Sequence, residues 1–292
     1  MKSIKIFEMF LRDGLQSLKP YPLATKINMF DIINKNNFDC IEFGSTTNSR
    51  LLPQMANSID LWYDIKSKMN VNKHYTMLTP SKIDLLITKD LKSFGLLTSV
   101  CDKFSQLNLN KSVSDSFINL LDQINKLNNL NNSHIRVYVS CVFGEIPDGK
   151  ITPVIIDKLN TLLEMLKIKI NELNLKPENL DIVLCDTIGN ADHNDINHVL
   201  KYIDKDLIDY YALHLHSDSN FYSLIDVGLL YNICKYDSSL LGIGGCPFAK
   251  KKCVGNISTY ELVKYLHDNN YKTNLDLELL KDTENKLQLL IG

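Results

Sequence analysis

The chain has 292 residues, 45% hydrophobic and 23% charged, enough to bury a large core as one barrel-sized domain or two smaller ones. Its net charge is −2, with 32 basic residues scattered among 34 acidic ones, which excludes nucleic acid as an expected partner. No uninterrupted apolar stretch reaches the roughly 18 residues of a membrane span, and the opening Met1-Lys2-Ser3-Ile4-Lys5-Ile6-Phe7 runs straight into a strand pattern. No membrane partner, no signal or transit peptide and a cytoplasmic location are therefore expected.

In chain order, β-branched and aromatic runs predict strands over 4–10, 38–44, 74–79, 93–100, 134–143, 180–186, 210–216 and 233–240. Amphipathic stretches predict helices over 23–36, 55–69, 81–90, 114–129, 152–174, 193–204, 222–232 and 258–268. Eight strands alternating with helices predict an α/β fold of the (β/α)8 TIM-barrel class, with an open doubly wound sheet as the other arrangement of the same alternation. No Pro/Gly/Ser-rich linker divides the chain, and the Asn-rich stretch 127–132 reads as a loop, so residues 1–292 are read as one domain. The tail from about Asn269 to Gly292 reads as one extra C-terminal helix that caps the lower face of the barrel or joins a partner. Seven cysteines, an odd number, predict reduced thiols and no disulfide framework. Of these, Cys40, Cys101, Cys141, Cys185 and Cys234 read as core.

His214-Leu215-His216 closes the apolar run over 210–216. Two histidines at i and i+2 of a strand share a face, so the pair can chelate one metal ion while Leu215 points into packing. The barrel gives a wider test, because active sites of that fold lie where strands end. Arg12-Asp13 follow the first strand, Glu42 ends the second and Thr79-Pro80 end the third. Ser140-Cys141 lie late in the fifth, Asp186-Thr187 end the sixth, and His214 and His216 end the seventh. A chance scatter would place as many such groups at strand beginnings. Each residue alone has a plainer reading: a structural His-x-His, an inert buried thiol at Cys246, strand-end caps at Glu42 and Asp186. Their ordered combination with Gly244-Gly245-Cys246-Pro247 and Gly255-Asn256 points to a metal-dependent enzyme.

Phe10-Leu11-Arg12-Asp13-Gly14-Leu15-Gln16 resembles the LRDGxQ signature that opens the metal-dependent carbon–carbon lyases and Claisen synthases built on a TIM barrel. Pro53-Gln54-Met55-Ala56-Asn57, Ser140-Cys141-Val142-Phe143-Gly144 and Gly244-Gly245-Cys246-Pro247-Phe248-Ala249 resemble the 3-hydroxy-3-methylglutaryl-CoA lyase family, over most of the chain from Phe10 to about Leu266. The related isopropylmalate and homocitrate synthases usually carry no cysteine in that loop. The resemblance implies an acyl-CoA substrate, retro-Claisen cleavage to acetyl-CoA and acetoacetate, and a homodimer. It also implies Asp13, His214, His216 and Asn256 as metal ligands, Arg12 as catalytic arginine and Cys246 as loop cysteine, and Lys19 matches a family lysine.

One carboxylate, two imidazoles and an amide oxygen suit Mg²⁺ or Mn²⁺, with Zn²⁺ a third candidate. In the implied chemistry Arg12 stabilises the enolate, and Cys246 or His214 acts as acid/base. Glu42 and Asp186 orient Arg12 or relay protons. The other readings carried forward are a Claisen-condensing synthase and a metal-binding barrel without catalysis. The chain departs from the family pattern at Ser217, where Asp or Asn is usual, at Ser219-Asn220-Phe221, and at Lys250-Lys251-Lys252-Cys253-Val254. The three lysines either attract the phosphates of coenzyme A or solvate an exposed loop.

Overall fold

Eight parallel strands, hydrogen-bonded in chain order, close into a barrel. They are β1 (Lys5–Glu8), β2 (Cys40–Ser45), β3 (His74–Leu78), β4 (Ser93–Ser99), β5 (His134–Ser140), β6 (Leu180–Cys185), β7 (Tyr211–His214) and β8 (Lys235–Ser238). Closure comes from β1 pairing with β8, from Lys5 opposite Lys235 to Glu8 opposite Ser238. The computed structural model describes residues 3–80, 91–130, 133–217, 221–245 and 254–292. Its helices are α1 (Leu23–Ile33), α2 (Ser58–Ile65), α3 (Asp102–Leu109), α4 (Val113–Asn128), α5 (Pro153–Leu173), α6 (His193–Tyr202), α7 (Tyr222–Leu230), α8 (Thr259–Asp268) and α9 (Leu277–Ile291). The expected (β/α)8 barrel is the architecture found. The helix expected over 81–90 lies outside the described residues. Among the described residues no helix is long and apolar enough to cross a membrane.

Local chemistry sets the helix starts. Ser112 accepts from the Asp115 amide at the head of α4, Thr152 does the same for Ile155 ahead of Pro153, and Asp192 with Asp195 forms a capping box at α6. Helix α3 escapes a reading by periodicity because only Phe104 and Ser105 on it are buried. Helix α9 is the expected extra C-terminal helix. It packs in the outer ring against α1 and α8, with Asn36 donating to Thr283 Oγ1 at 2.8 Å and the Leu241 amide to Glu284 Oε1 at 2.9 Å.

Strands β1, β5, β7 and β8 stop two or more residues short of their apolar runs. In β1 the chain turns after Glu8 into a π-helical turn over Phe10–Gly14. The fully buried Glu8 accepts there from the Phe10 amide at 2.9 Å, and also from the Leu240 amide at 3.0 Å and the Thr259 hydroxyl at 2.7 Å. One carboxyl thus ties the Arg12-Asp13 turn to the segment after β8. Strand β5 ends at Ser140 because Cys141 adopts φ 63°. Strand β7 ends at His214, and His216 instead makes an isolated antiparallel bridge with Asn256.

Alternate positions of β5 divide the interior. Ile135, Val137 and Val139 join the apolar core shared with the surrounding helices. His134, Arg136 and Tyr138 are buried on the other face, inside the barrel. Arg136 there is fully buried and paired with Asp237 and Asp181. The barrel therefore carries charge along its axis, where apolar layers are the common filling.

Candidate active site

The strand ends assemble a buried polar cluster from four parts of the chain. Asp13, His214 and His216 each offer one donor atom, and those atoms lie within 4.8 Å of one another. All three residues are buried. The two imidazoles meet edge to face with ring centroids 5.0 Å apart, while Leu215 between them is buried in the core, as the His-x-His spacing predicts.

Asp13 is the hub. Its Oδ1 accepts from Arg12 Nη1 at 2.5 Å and from Gln16 Nε2 at 2.6 Å, and its Oδ2 accepts from Asn256 Nδ2 at 2.6 Å. Burial pushes the Asp13 carboxyl up, but the Arg12 guanidinium beside it outweighs this and holds the group well below the usual carboxylate range. Asp13 is thus an anion at any working pH.

Both histidines are held at one nitrogen. His216 Nδ1 sits 2.6 Å from the Asp186 carbonyl oxygen, and His214 Nδ1 sits 3.1 Å from Asp237 Oδ2. A carbonyl can only accept, so Nδ1 of His216 carries the proton and its Nε2 is left with a lone pair. Among the described residues that Nε2 is buried without a hydrogen-bond partner, and it faces Asp13 Oδ2 at 3.9 Å, too far for a hydrogen bond. Burial disfavours the imidazolium of His216, yet the charge of Asp13 outweighs this and raises its proton affinity.

An orphaned imidazole nitrogen across a short gap from a carboxylate is the donor arrangement a divalent cation would satisfy. The space is guarded by Gly244, at φ 125°, where an added Cβ would lie 2.1 Å from Asn256 Nδ2 and 2.9 Å from Asp13 Oδ2. The residues present therefore fit a bound cation. Asn256 presents its amide nitrogen to Asp13 and also to the Ile243 carbonyl at 3.0 Å, so ligation through its oxygen requires the amide to turn over. Gly244→Ala is expected to weaken Mn²⁺ binding about tenfold or more while far-UV circular dichroism stays that of the wild type. Equilibrium dialysis against Mn²⁺ measures this, and an unchanged affinity would remove the steric argument.

Arg12 stands beside the cluster. Its Nε donates to Glu42 Oε2 at 2.5 Å, and its guanidinium lies 5.6 Å from the Tyr138 ring centroid. Burial disfavours the charge, but Glu42 and Asp13 more than restore it, so Arg12 is a permanent cation. Glu42 is fully buried on β2, and its Oε1 has no hydrogen-bond partner among the described residues. Burial raises the Glu42 carboxyl, and Arg12 opposes that rise.

The structure thus brings Arg12, Asp13, Glu42, His214, His216 and Asn256 together. Asp186 is adjacent but turned away: its carboxylate accepts from the Gly189, Asn190 and Ala191 amides at 3.0–3.4 Å, and only its backbone carbonyl reaches His216. Cys246 and Lys250–Lys252 lie outside the described residues. Lys19 lies 5.6 Å above the Tyr21 ring. Cys40, Cys101, Cys141 and Cys185 are buried as expected, and Cys234 is half-buried.

Gln16, Arg136 and Asp237 were not picked out by sequence reasoning. Gln16 lies within the quoted signature three residues after Asp13, on the same turn. Arg136 and Asp237 had a signal of their own, a charge in the middle of a strand whose neighbours are all apolar or buried, where an ion needs a partner.

The family model HMGL-like matches residues 3–287. The 3-hydroxy-3-isohexenylglutaryl-CoA/hydroxy-methylglutaryl-CoA lyase of Pseudomonas aeruginosa is 27% identical, over 100% of this chain and 94% of that protein. The hydroxymethylglutaryl-CoA lyase of Pseudomonas mevalonii is 26% identical, over 100% of this chain and 94% of that protein. The crystal structure of the HMG-CoA lyase from Brucella melitensis superposes with a TM-score of 0.81 at 26% identity, covering 99% of each chain.

Proposed function

The chain belongs to the HMGL-like family, and from that premise we propose that it cleaves 3-hydroxy-3-methylglutaryl-CoA, or a 3-hydroxyacyl-CoA of the same class, to acetyl-CoA and acetoacetate or the matching keto acid. The observation that carries the proposal is the buried Asp13, His214 and His216 cluster with Arg12 hydrogen-bonded to its carboxylate. Asp13, His214, His216 and, with its amide turned over, Asn256 would hold a divalent cation. A single carboxylate with imidazole and amide donors favours Mg²⁺ or Mn²⁺, with Zn²⁺ third. When bound there, the cation supplies Lewis-acid charge that lowers the pKa of the substrate's tertiary hydroxyl.

The chain's own residues do the rest. Carbon–carbon cleavage leaves negative charge on the thioester enolate of the departing acetyl group. Arg12 meets that charge with fixed, always protonated donors in a buried site, where such a donor is worth far more than in solvent. Glu42 orients Arg12 through the Nε bond, which leaves the guanidinium free of rotational search. Asp186 holds the loop over 189–191 and, through its carbonyl, the ring of His216. The enolate carbon then takes a proton, for which Cys246 is the proposed donor on a loop closing over substrate, with His214 as the competing acid/base.

The acyl-CoA is the proposed partner, in a homodimer acting in the cytoplasm. Incubation with 3-hydroxy-3-methylglutaryl-CoA and Mg²⁺ or Mn²⁺ is expected to yield acetoacetate and acetyl-CoA in equal amounts, measured enzymatically. No acetoacetate above a protein-free blank would overturn the lyase reading.

A further inference from the structure

Asp237 lies directly across the β7–β8 pair from His214, and on its other side across from Phe7. It is 2% exposed, and among the described residues its carboxylate bonds His214 and Arg136. Both of its oxygens are engaged. Oδ2 lies 3.1 Å from His214 Nδ1, and Oδ1 accepts from Arg136 Nη2 at 2.5 Å. Arg136 cannot move aside: it is fully buried, stacked 4.0 Å from the Phe7 ring centroid and within 3.6 Å of Asp181. Asp181 is fixed in turn by Lys235 at 2.6 Å and His134 at 3.0 Å. Two buried carboxylates facing Arg136 and Lys235 leave the chain of charges balanced without a charge on His214.

From this geometry we infer that Asp237 is a positioning residue that sets the tautomer of His214, with Arg136 as the pin that sets Asp237. A guanidinium only donates and a carboxylate only accepts. With Oδ1 committed to Arg136, the Oδ2 side demands a proton from Nδ1. The neutral imidazole then carries no proton on Nε2, whose lone pair is left for whatever lies at the mouth of the barrel. The consequence for a cation rests on the proposed ligand role of His214, whereas the tautomer does not.

The substitution Asp237→Asn makes the logic visible. Its carbonyl must face the donor-only Arg136, so its NH2 faces Nδ1, which becomes an acceptor, and the proton moves to Nε2. The opposite amide orientation would set two donors against each other in a buried space, at a cost of about 1–3 kcal/mol or more.

The test uses the full chain labelled with ¹⁵N-histidine, and the signals of His214 are identified by their loss in His214→Gln. Without added metal, the wild type is expected to show His214 protonated at Nδ1 and bare at Nε2, and Asp237→Asn the reverse. Mn²⁺ affinity by electron paramagnetic resonance is expected to fall about 10–100-fold in the variant. A wild-type His214 protonated at Nε2 overturns the inference, and so does a folded Asp237→Asn that keeps the Nδ1 proton. Should the variant not fold, the wild-type spectrum alone decides. A wild type with the expected tautomer but no Mn²⁺ binding upholds the positioning role and overturns the metal reading instead.

Discussion

His216→Ala is expected to lower affinity for Mn²⁺ or Mg²⁺ by at least about 100-fold and to abolish measurable turnover, with the barrel intact. Partners that only orient a ligand are worth about 10–100-fold, so removing the donor itself costs no less. The fold survives because His216 lies beyond the end of β7 and contributes one hydrogen bond, to the Asp186 carbonyl, worth about 1 kcal/mol. The pH dependence gives a second readout. Asp13 raises the proton affinity of His216, so proton and cation compete for Nε2. Below that raised pKa, cation affinity should fall as pH falls, approaching about tenfold per pH unit, and above it the dependence should flatten. His216→Ala removes this component. Titrations of Mn²⁺ binding between pH 6 and pH 8.5 on both proteins measure it, and equal affinities at pH 8 would show that His216 holds no cation.

Arg12→Lys is expected to reduce kcat by about 10²–10³-fold, the cost of removing one donor aimed at developing oxyanion charge. The charge is kept, so the loss reports geometry. Lysine is a single point donor and cannot bond Glu42 through one edge and Asp13 through another as Arg12 does at 2.5 Å each. Glu42, already with one unpartnered buried oxygen, loses the bond to its other oxygen. Asp13 keeps Gln16 and Asn256, so cation affinity should change only a few-fold. Steady-state kinetics beside a Mn²⁺ titration separate the two effects. Turnover at the wild-type rate would remove the guanidinium from the chemistry, and loss of cation binding would show Arg12 acting through Asp13.

Much of the site was legible because its parts are local signatures. Arg12-Asp13-Gly14 with Gln16 sits on one turn, and His214-Leu215-His216 places two imidazoles and one core side chain by spacing alone. Expectation and structure part where a contact depends on a distant residue. Asp186 reads as a rim carboxylate, but three amides over 189–191 take its oxygens, because a strand-end Asp bonds the nearest free N–H groups first. The run over 210–216 reads as one strand, but His216 leaves it to bridge Asn256, forty residues on.

The alternation of short apolar strands with amphipathic helices was enough to determine the barrel and the rim on which its polar residues gather, since both follow from periods of two and 3.6 residues written along the chain. Tertiary structure alone decided which side chains meet. Asp13 meets Asn256 across 243 positions, and Arg136 meets Asp237 across 101. Strand register and barrel closure set those pairings, and a buried ion or imidazole settles its proton only once the facing donor or acceptor is in place.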